Sequence, residues 1–192
     1  MKRISVGTGP YKELLELLSV RTKSGWNHQF ITTNWDYLLQ REIDNIHFSV
    51  KPKWLLNSGV FHLNGSVEKF GDPFYRSKIL LESDELSERK WSLEGNKAYN
   101  FFIWQKIIVI AGMSFKCAVD RGFLHTLESV QDDLPIGEML WIVINRDIEE
   151  LSAIVHLLRH TFPQSKVIPV KSTFETWIAQ GCMQIKGLEI IS

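Results

Sequence analysis

Four short clusters of small and polar residues each come directly after a run of apolar residues. The clusters are Thr33-Asn34-Trp35-Asp36, Asn64-Gly65-Ser66, Gly112-Met113-Ser114 and Asn145-Arg146-Asp147. Their amide, hydroxyl and carboxylate groups could bind a ribose or a phosphate, and a glycine lets the backbone approach such a ligand closely. The first and last clusters also have a simpler explanation, because each contains two residues suited to capping a following helix. These residues are Thr33 or Asn34, and Asn145 or Asp147.

The elements predicted around these clusters would bring them to one edge of a sheet. Short β-branched or aromatic runs alternate with longer amphipathic stretches, which is typical of α/β proteins with a parallel sheet. Predicted strands are 29–33, 47–50, 60–63, 107–111, 140–144 and 166–170, and predicted helices are 11–21, 35–43, 95 or 96–106, 117–131, 148–161 and 174–180. In an open parallel sheet the carboxyl ends of the strands share one edge, where ligands bind, so the four clusters should face one another.

The predicted fold is a three-layer, Rossmann-like α/β domain with a mostly parallel central sheet and helices on both faces. The strands at 107 and 140 are apolar on both alternating faces, so we expect them to be the central strands. At 192 residues the chain can bury roughly 70% of its unfolded surface as one domain, 1–192. Residues 70–94, rich in Pro, Ser and charge, are predicted to form an inserted excursion over the carboxyl edge of the sheet.

Composition excludes several classes of partner. The 22 basic and 22 acidic residues give a net charge of zero, so direct nucleic-acid binding is not expected. The longest apolar run, 107–113, is far shorter than the roughly 20 residues of a membrane span.

Neither Cys117 nor Cys182 has a second cysteine or histidine at zinc-ligand spacing, so no metal site is predicted. His156 and His160 stand one helical turn apart, but no third ligand supports them, and a solvated helix face is the preferred interpretation. We therefore predict a cytoplasmic protein without zinc.

The first cluster lies in a segment that resembles a known family. The segment 31–39, Ile-Thr-Thr-Asn-Trp-Asp-Tyr-Leu-Leu, resembles the "TTNYD-x-L" segment of the sirtuin-like superfamily, especially of its prokaryotic zinc-free branch. Many members of that branch cleave NAD in antiphage defence. Residues 63–66 resemble the family's "L-H-G-S", 110–115 its "G-x-S" loop followed by an apolar residue, and 144–147 its "I-N-x-D". The matches follow the family's order over about 28–147.

The resemblance implies a nucleotide ligand, NAD or ADP-ribose, and a role for each matched residue. Asn34 would sit beside the nicotinamide ribose, and Asp36 would support that loop. Gly112 and Ser114 would approach the ribose or the phosphates, and Asn145 would contact the adenosine side. The remaining expected contacts are Thr33, Gly65 and Ser66.

Asn64 departs from the family at the position of its general base. The family has a histidine there, and a carboxamide cannot accept a proton near neutral pH, so a rate contribution of typically 10²- to 10⁴-fold should be lost. His62 is two residues upstream and points to the same face of the strand, but it is displaced by about 6.6 Å. A catalytic group must be held within about 0.5 Å of its working position, which disfavours His62 as a substitute for the family histidine.

The amino-terminal part departs from the family as well. The family begins with a strand, a Gly-Ala-Gly-type phosphate loop and a helical stretch, whereas only about 30 residues precede Ile31 here. Residues 5–10 could imitate the loop, but Lys12 stands where the third glycine of a dinucleotide fingerprint belongs. The resemblance therefore implies that this first unit is missing, and with it the helix N-terminus that normally cradles a pyrophosphate.

Three functions remain open from the sequence. The first is a degenerate sirtuin-like module that binds NAD, ADP-ribose or a related nucleotide. The second is an NAD glycohydrolase that uses Asn34 with His62 as a displaced base. The third is a non-catalytic assembly or sensor domain, as a homo-oligomer or as part of a larger system. Lysine deacylation is disfavoured, because the zinc module that normally supports it has no cysteines here.

Overall fold

The computed structural model describes residues 10–22, 30–32, 39, 60–62, 107–116, 139–182 and 184. Their elements, in chain order, are helix α1 (Pro10–Thr22), strands β1 (Phe30–Thr32), β2 (Val60–His62), β3 (Ile107–Ala111) and β4 (Leu140–Asn145), helix α2 (Ile148–Thr161), strand β5 (Lys166–Lys171) and helix α3 (Phe174–Ala179). Each was predicted with the correct type, and its ends agree to within one residue. None of these helices is long and apolar enough to cross a membrane.

The described strands form two parallel sheets. One sheet has three strands in the order β3-β4-β5, and the other pairs β1 with β2. Neighbouring strands are in register at their carboxyl ends, where Ala111 pairs with Ile144 and Asn145 pairs with Lys171. Helix α2 connects β4 to its parallel neighbour β5, as a crossover connection requires. This parallel sheet with helices confirms the α/β class.

Strand β4 is the centre of the described core. Its residues Trp141, Ile142 and Val143 are fully buried, as expected of a strand covered on both faces. On one face its even-numbered side chains pack with buried residues of α1 and α3; this cluster includes Leu14, Leu18, Leu140, Ile142, Ile144, Trp177 and Ile178. On the other face Trp141 stacks on Phe162, at the end of α2, with 5.1 Å between the ring centroids.

Strand β3 is less enclosed than its sequence predicts. It stands at one end of the described three-strand order, and the side chain of Val109 is 37% exposed. Ile110 is buried, so one face of β3 packs against the core. The expectation that both apolar strands are covered on both faces holds for β4 and not for β3. A run of β-branched residues favours a strand, but by itself it does not determine how many faces are covered.

Several predicted elements lie outside the described residues. They are the strand at 47–50, the helices at 95 or 96–106 and 117–131, and the excursion at 70–94. Of the helix predicted at 35–43, only Leu39 is described, and it is helical.

Candidate functional site

The loops that follow β3 and β4 are neighbours at the carboxyl edge of the three-stranded sheet. Ala111 and Ile144 are paired at the ends of these strands, so Gly112 and Asn145 follow at the same level. The Gly112 backbone N–H donates to the carbonyl oxygen of Ile144 at 3.4 Å. Two of the four predicted clusters, 112–114 and 145–147, are thus brought together where parallel sheets bind ligands.

The β3 loop, residues 112–116, has two residues in the left-handed backbone region. Gly112 has φ 68°, and Phe115 has φ 56° with its side chain buried. A non-glycine residue at such an angle is uncommon, and here the buried phenyl ring holds the loop against the core. A Cβ atom at Gly112 would meet no atom of the described residues within 4 Å, so the space beside this glycine is open within that part of the chain. Ser114 accepts a hydrogen bond on its Oγ from the Lys116 backbone N–H at 3.4 Å.

Asp147 caps helix α2, which confirms the simpler explanation for this residue. Its Oδ1 accepts hydrogen bonds from the backbone N–H groups of Glu149 at 2.9 Å and Glu150 at 3.1 Å. Asn145 in turn accepts the Asp147 backbone N–H on its Oδ1 at 2.9 Å. The first amides of α2 are therefore bound to a carboxylate of the chain itself, in the place where a helix N-terminus could otherwise receive a phosphate.

Glu150 joins the two loops. Its Oε1 accepts a hydrogen bond from the Lys116 ammonium, and its Oε2 accepts one from Asn145 Nδ2 at 3.2 Å. The Glu150 side chain is 27% exposed and that of Lys116 is 70% exposed, so the carboxylate is the more enclosed partner of this ion pair. The arrangement links a residue of the β3 loop to a residue at the end of β4 through one side chain. We call Lys116, Glu150 and Asn145 the interloop clasp.

The hydrogen bonds of the interloop clasp and of the helix cap favour the charged forms of Glu150, Lys116 and Asp147. The hydrogen bond from Lys116, followed by that from Asn145, lowers the pKa of Glu150. The same Glu150 hydrogen bond raises the pKa of Lys116. The pKa of Asp147 is lowered, chiefly by the backbone N–H of Glu150 and then by that of Glu149. All three groups are therefore ionised at neutral pH, and hydrogen bonding to the charged form is the main cause.

Sequence reasoning missed Lys116 and Glu150. A signal for Glu150 was present, because Asp147 and Glu150 have the N-cap and N3 spacing of a capping box. In a capping box the N3 side chain bonds to the backbone N–H of the N-cap residue. Here Asn145 takes that N–H, which leaves both oxygens of Glu150 to bind Lys116 and Asn145.

The end of β5 reaches the same edge. The Ser172 backbone N–H donates to the Asn145 carbonyl oxygen at 3.2 Å. The Ser172 hydroxyl oxygen is buried and has no hydrogen-bond partner in the described part of the chain. Thr173 then caps α3 by accepting the Thr176 backbone N–H at 3.1 Å. The edge thus presents a glycine and an amide side chain, which are groups suited to the hydroxyls and ring nitrogens of a nucleoside.

The remaining predicted site residues lie mostly outside the described residues. These are Thr33, Asn34, Asp36, Asn64, Gly65 and Ser66. The backbone of His62 ends β2 and pairs with Thr32 of β1, so the segments carrying the other two clusters follow two paired parallel strands.

The other candidate ligand groups do not form a metal site among the described residues. His156 and His160 are both exposed on α2. No group of three or more His, Cys, Asp or Glu residues that could hold a metal ion occurs within the ranges given above. Cys182 is fully buried, and burial raises the pKa of its thiol to about 11, so the unreactive thiol form predominates at neutral pH.

Comparison of the chain with protein-family models, with curated proteins and with solved structures finds no match.

Proposed function

We propose that the chain is a degenerate sirtuin-like module, Rossmann-like and three-layered, that binds NAD, ADP-ribose or a related nucleotide weakly at the carboxyl edge of its sheet. The observation that carries the proposal is the adjacency of the β3 and β4 loops. Gly112, the first residue after β3, lies beside the end of β4, whose last residue is Asn145, although the two are far apart in the sequence. The carboxyl edge of an open parallel sheet is the side on which ligands bind, which supports a nucleotide site at this place.

The open space beside Gly112 supports a ligand at this place. A ribose or phosphate can come close to a backbone that carries no Cβ, and φ 68° is an angle at which glycine has no steric penalty. Asn145 supports the nucleoside part of the proposal, because its two hydrogen bonds within the described ranges leave one amide hydrogen and one oxygen lone pair.

Two features favour weak binding and little catalysis. Asn64 replaces the histidine that the resembled family uses as general base, and an amide cannot take up a proton near neutral pH. At α2 the carboxylate of Asp147 already occupies the amides that could bind a phosphate. Phosphate binding must therefore rely on other groups, and the affinity that a helix N-terminus supplies elsewhere is absent at α2.

Calorimetric titration of the protein with ADP-ribose, NAD and nicotinamide at millimolar concentration tests this proposal. We expect saturable heat with ADP-ribose and NAD and no release of nicotinamide from NAD. Absence of heat with all three ligands would overturn nucleotide binding. The assembly or sensor alternative would then be favoured by a specific oligomer in light scattering that no nucleotide changes.

An NAD glycohydrolase is the second candidate, and the pairing of β1 with β2 favours it. Thr32 and His62 are paired at the ends of these strands, so Asn34 follows a strand that lies beside the one carrying His62. Nicotinamide release from NAD by the wild-type protein and by His62→Ala decides between the two candidates. A rate that falls in the variant supports the hydrolase, whereas equal rates, or none in either protein, exclude His62 as the base.

A further inference from the structure

We infer that Glu150 is a positioning residue that fixes the β3 loop against the end of β4 and thereby sets the shape of the proposed nucleotide crevice. The expected effect on nucleotide affinity rests on the proposed function. The positioning of the loop is a property of the ligand-free protein and can be tested without a ligand. No motif of the sequence assigns Glu150 this role. It follows from the interloop clasp, in which one carboxylate receives two donors from two loops.

A carboxylate is needed because the clasp uses both of its oxygens. Oε1 accepts from the Lys116 ammonium, and Oε2 accepts from Asn145 Nδ2 at 3.2 Å. In the same rotamer a glutamine would place an oxygen acceptor at one of these positions and an amide donor at the other, so it would keep one of the two hydrogen bonds. The bond to Lys116 joins two opposite charges, and such charge-assisted bonds are roughly twice as strong as neutral ones.

The position of Glu150 on α2 makes the clasp rigid. Its backbone N–H is bound by Asp147, the N-cap of α2, at 3.1 Å. Helix α2 is itself anchored to the sheet by the buried side chains of Leu151, Ile154, Val155 and Leu158. The carboxylate is therefore held from a fixed helix turn, whereas the Lys116 side chain is 70% exposed. Through its ion pair with Lys116, Glu150 thus holds the β3 loop, including the backbone around Gly112, in place against the helix.

Glu149 provides a matched control for this inference. It lies in the same first turn of α2, is exposed, and its backbone N–H is bound by Asp147 like that of Glu150. Glu149→Gln and Glu150→Gln thus make the same change in charge next to the same helix dipole. They differ in that only the Glu150 carboxylate forms the clasp.

Amide hydrogen exchange of the ligand-free protein tests the positioning directly. Two amides of the β3 loop, those of Gly112 and Lys116, are hydrogen-bonded and serve as reporters. We expect Glu150→Gln to accelerate exchange at both by about two- to five-fold, which corresponds to the loss of a largely exposed ion pair. Glu149→Gln should leave both rates unchanged. The amides of residues 149 and 150, which Asp147 binds, should stay protected in both variants.

Binding of ADP-ribose provides the second readout. We expect Glu150→Gln to weaken it by about two- to five-fold while Glu149→Gln binds as the wild type does. Unchanged exchange at Gly112 and Lys116 in Glu150→Gln would overturn the positioning role, whatever the protein binds. If exchange accelerates but the wild type binds no nucleotide, the positioning role stands and the proposed function fails. If exchange accelerates and both variants bind equally, Glu150 orders the loop without shaping the crevice, and the inference is wrong.

Discussion

Replacing Gly112 by alanine tests whether this glycine is needed for ligand binding, separately from its contribution to stability. Gly112 has φ 68°, and a Cβ built there meets no atom within 4 Å among the residues that the structure describes. The substitution therefore adds backbone strain without a steric clash. The proposed ligand, by contrast, occupies the open space beside this backbone, so the added methyl group should obstruct it.

The cost to stability follows from two opposing effects. A left-handed conformation costs an L-residue roughly 1–2 kcal/mol. Alanine also restricts the unfolded chain, which returns about 0.4–1 kcal/mol. Since the strain is the larger effect, we expect Gly112→Ala to lose about 1 kcal/mol, or about 2–4 °C in Tm for a chain of this size. Thermal unfolding followed by circular dichroism measures this loss.

Gly181→Ala is the matched control. Gly181 has φ 73°, no atom of the described residues within 4 Å of a built Cβ, and a place just after α3, and it is not among the predicted site residues. Both variants should lose similar stability, but only Gly112→Ala should lose affinity for ADP-ribose, by ten-fold or more, in calorimetric titration. Wild-type affinity in Gly112→Ala would refute a close approach of the ligand at this glycine. Equal losses of affinity in both variants would show that strain, and not contact, weakens binding.

Three further predictions concern the cap, the core and the cysteine. The pKa of Asp147 is lowered in the folded protein, so its carboxylate stabilises the fold above the ordinary pKa of 3.8, and this contribution is lost as the pH falls through the folded pKa. Asp147→Asn should therefore flatten the acidic part of a profile of Tm against pH. An unchanged profile would contradict the cap. Phe162→Ala should cost about 3–5 kcal/mol in urea unfolding, since the ring is fully buried against Trp141, and a loss below 1 kcal/mol would contradict that packing. Cys182 should resist iodoacetamide at neutral pH until the protein unfolds, as read by mass spectrometry, and rapid native labelling would contradict its burial.

The described helices and strands could be predicted because their patterns are local. Helix α2 is amphipathic over its whole length and begins at Asp147, a strong N-cap residue, so its bounds at 148 and 161 were predicted correctly. Strand β4 is uniformly apolar, and its burial on both faces followed from that pattern. Exposure of Val109 in β3 was not predicted, because cover depends on neighbouring elements and not on the strand's own residues.

The site was predicted less completely than the elements. The adjacency of Gly112 and Asn145 was expected from the rule that parallel strands end at one edge. The interloop clasp was not, because Lys116 and Glu150 are 34 residues apart and meet only through the pairing of β3 with β4. The capping-box spacing of Asp147 and Glu150 indicated a helix start. That the Asp147 backbone N–H donates to Asn145, and not to Glu150, depends on side-chain geometry.

The most direct test of the central claim is a titration of the isotopically labelled protein with ADP-ribose, followed through its backbone amide signals. We predict saturable shifts at Gly112, Ser114 and Asn145, at the ends of β3 and β4, and none at His156 or Gly181. Shifts confined to other parts of the chain, or no shifts at millimolar ligand, would contradict a nucleotide crevice at the carboxyl edge of this sheet.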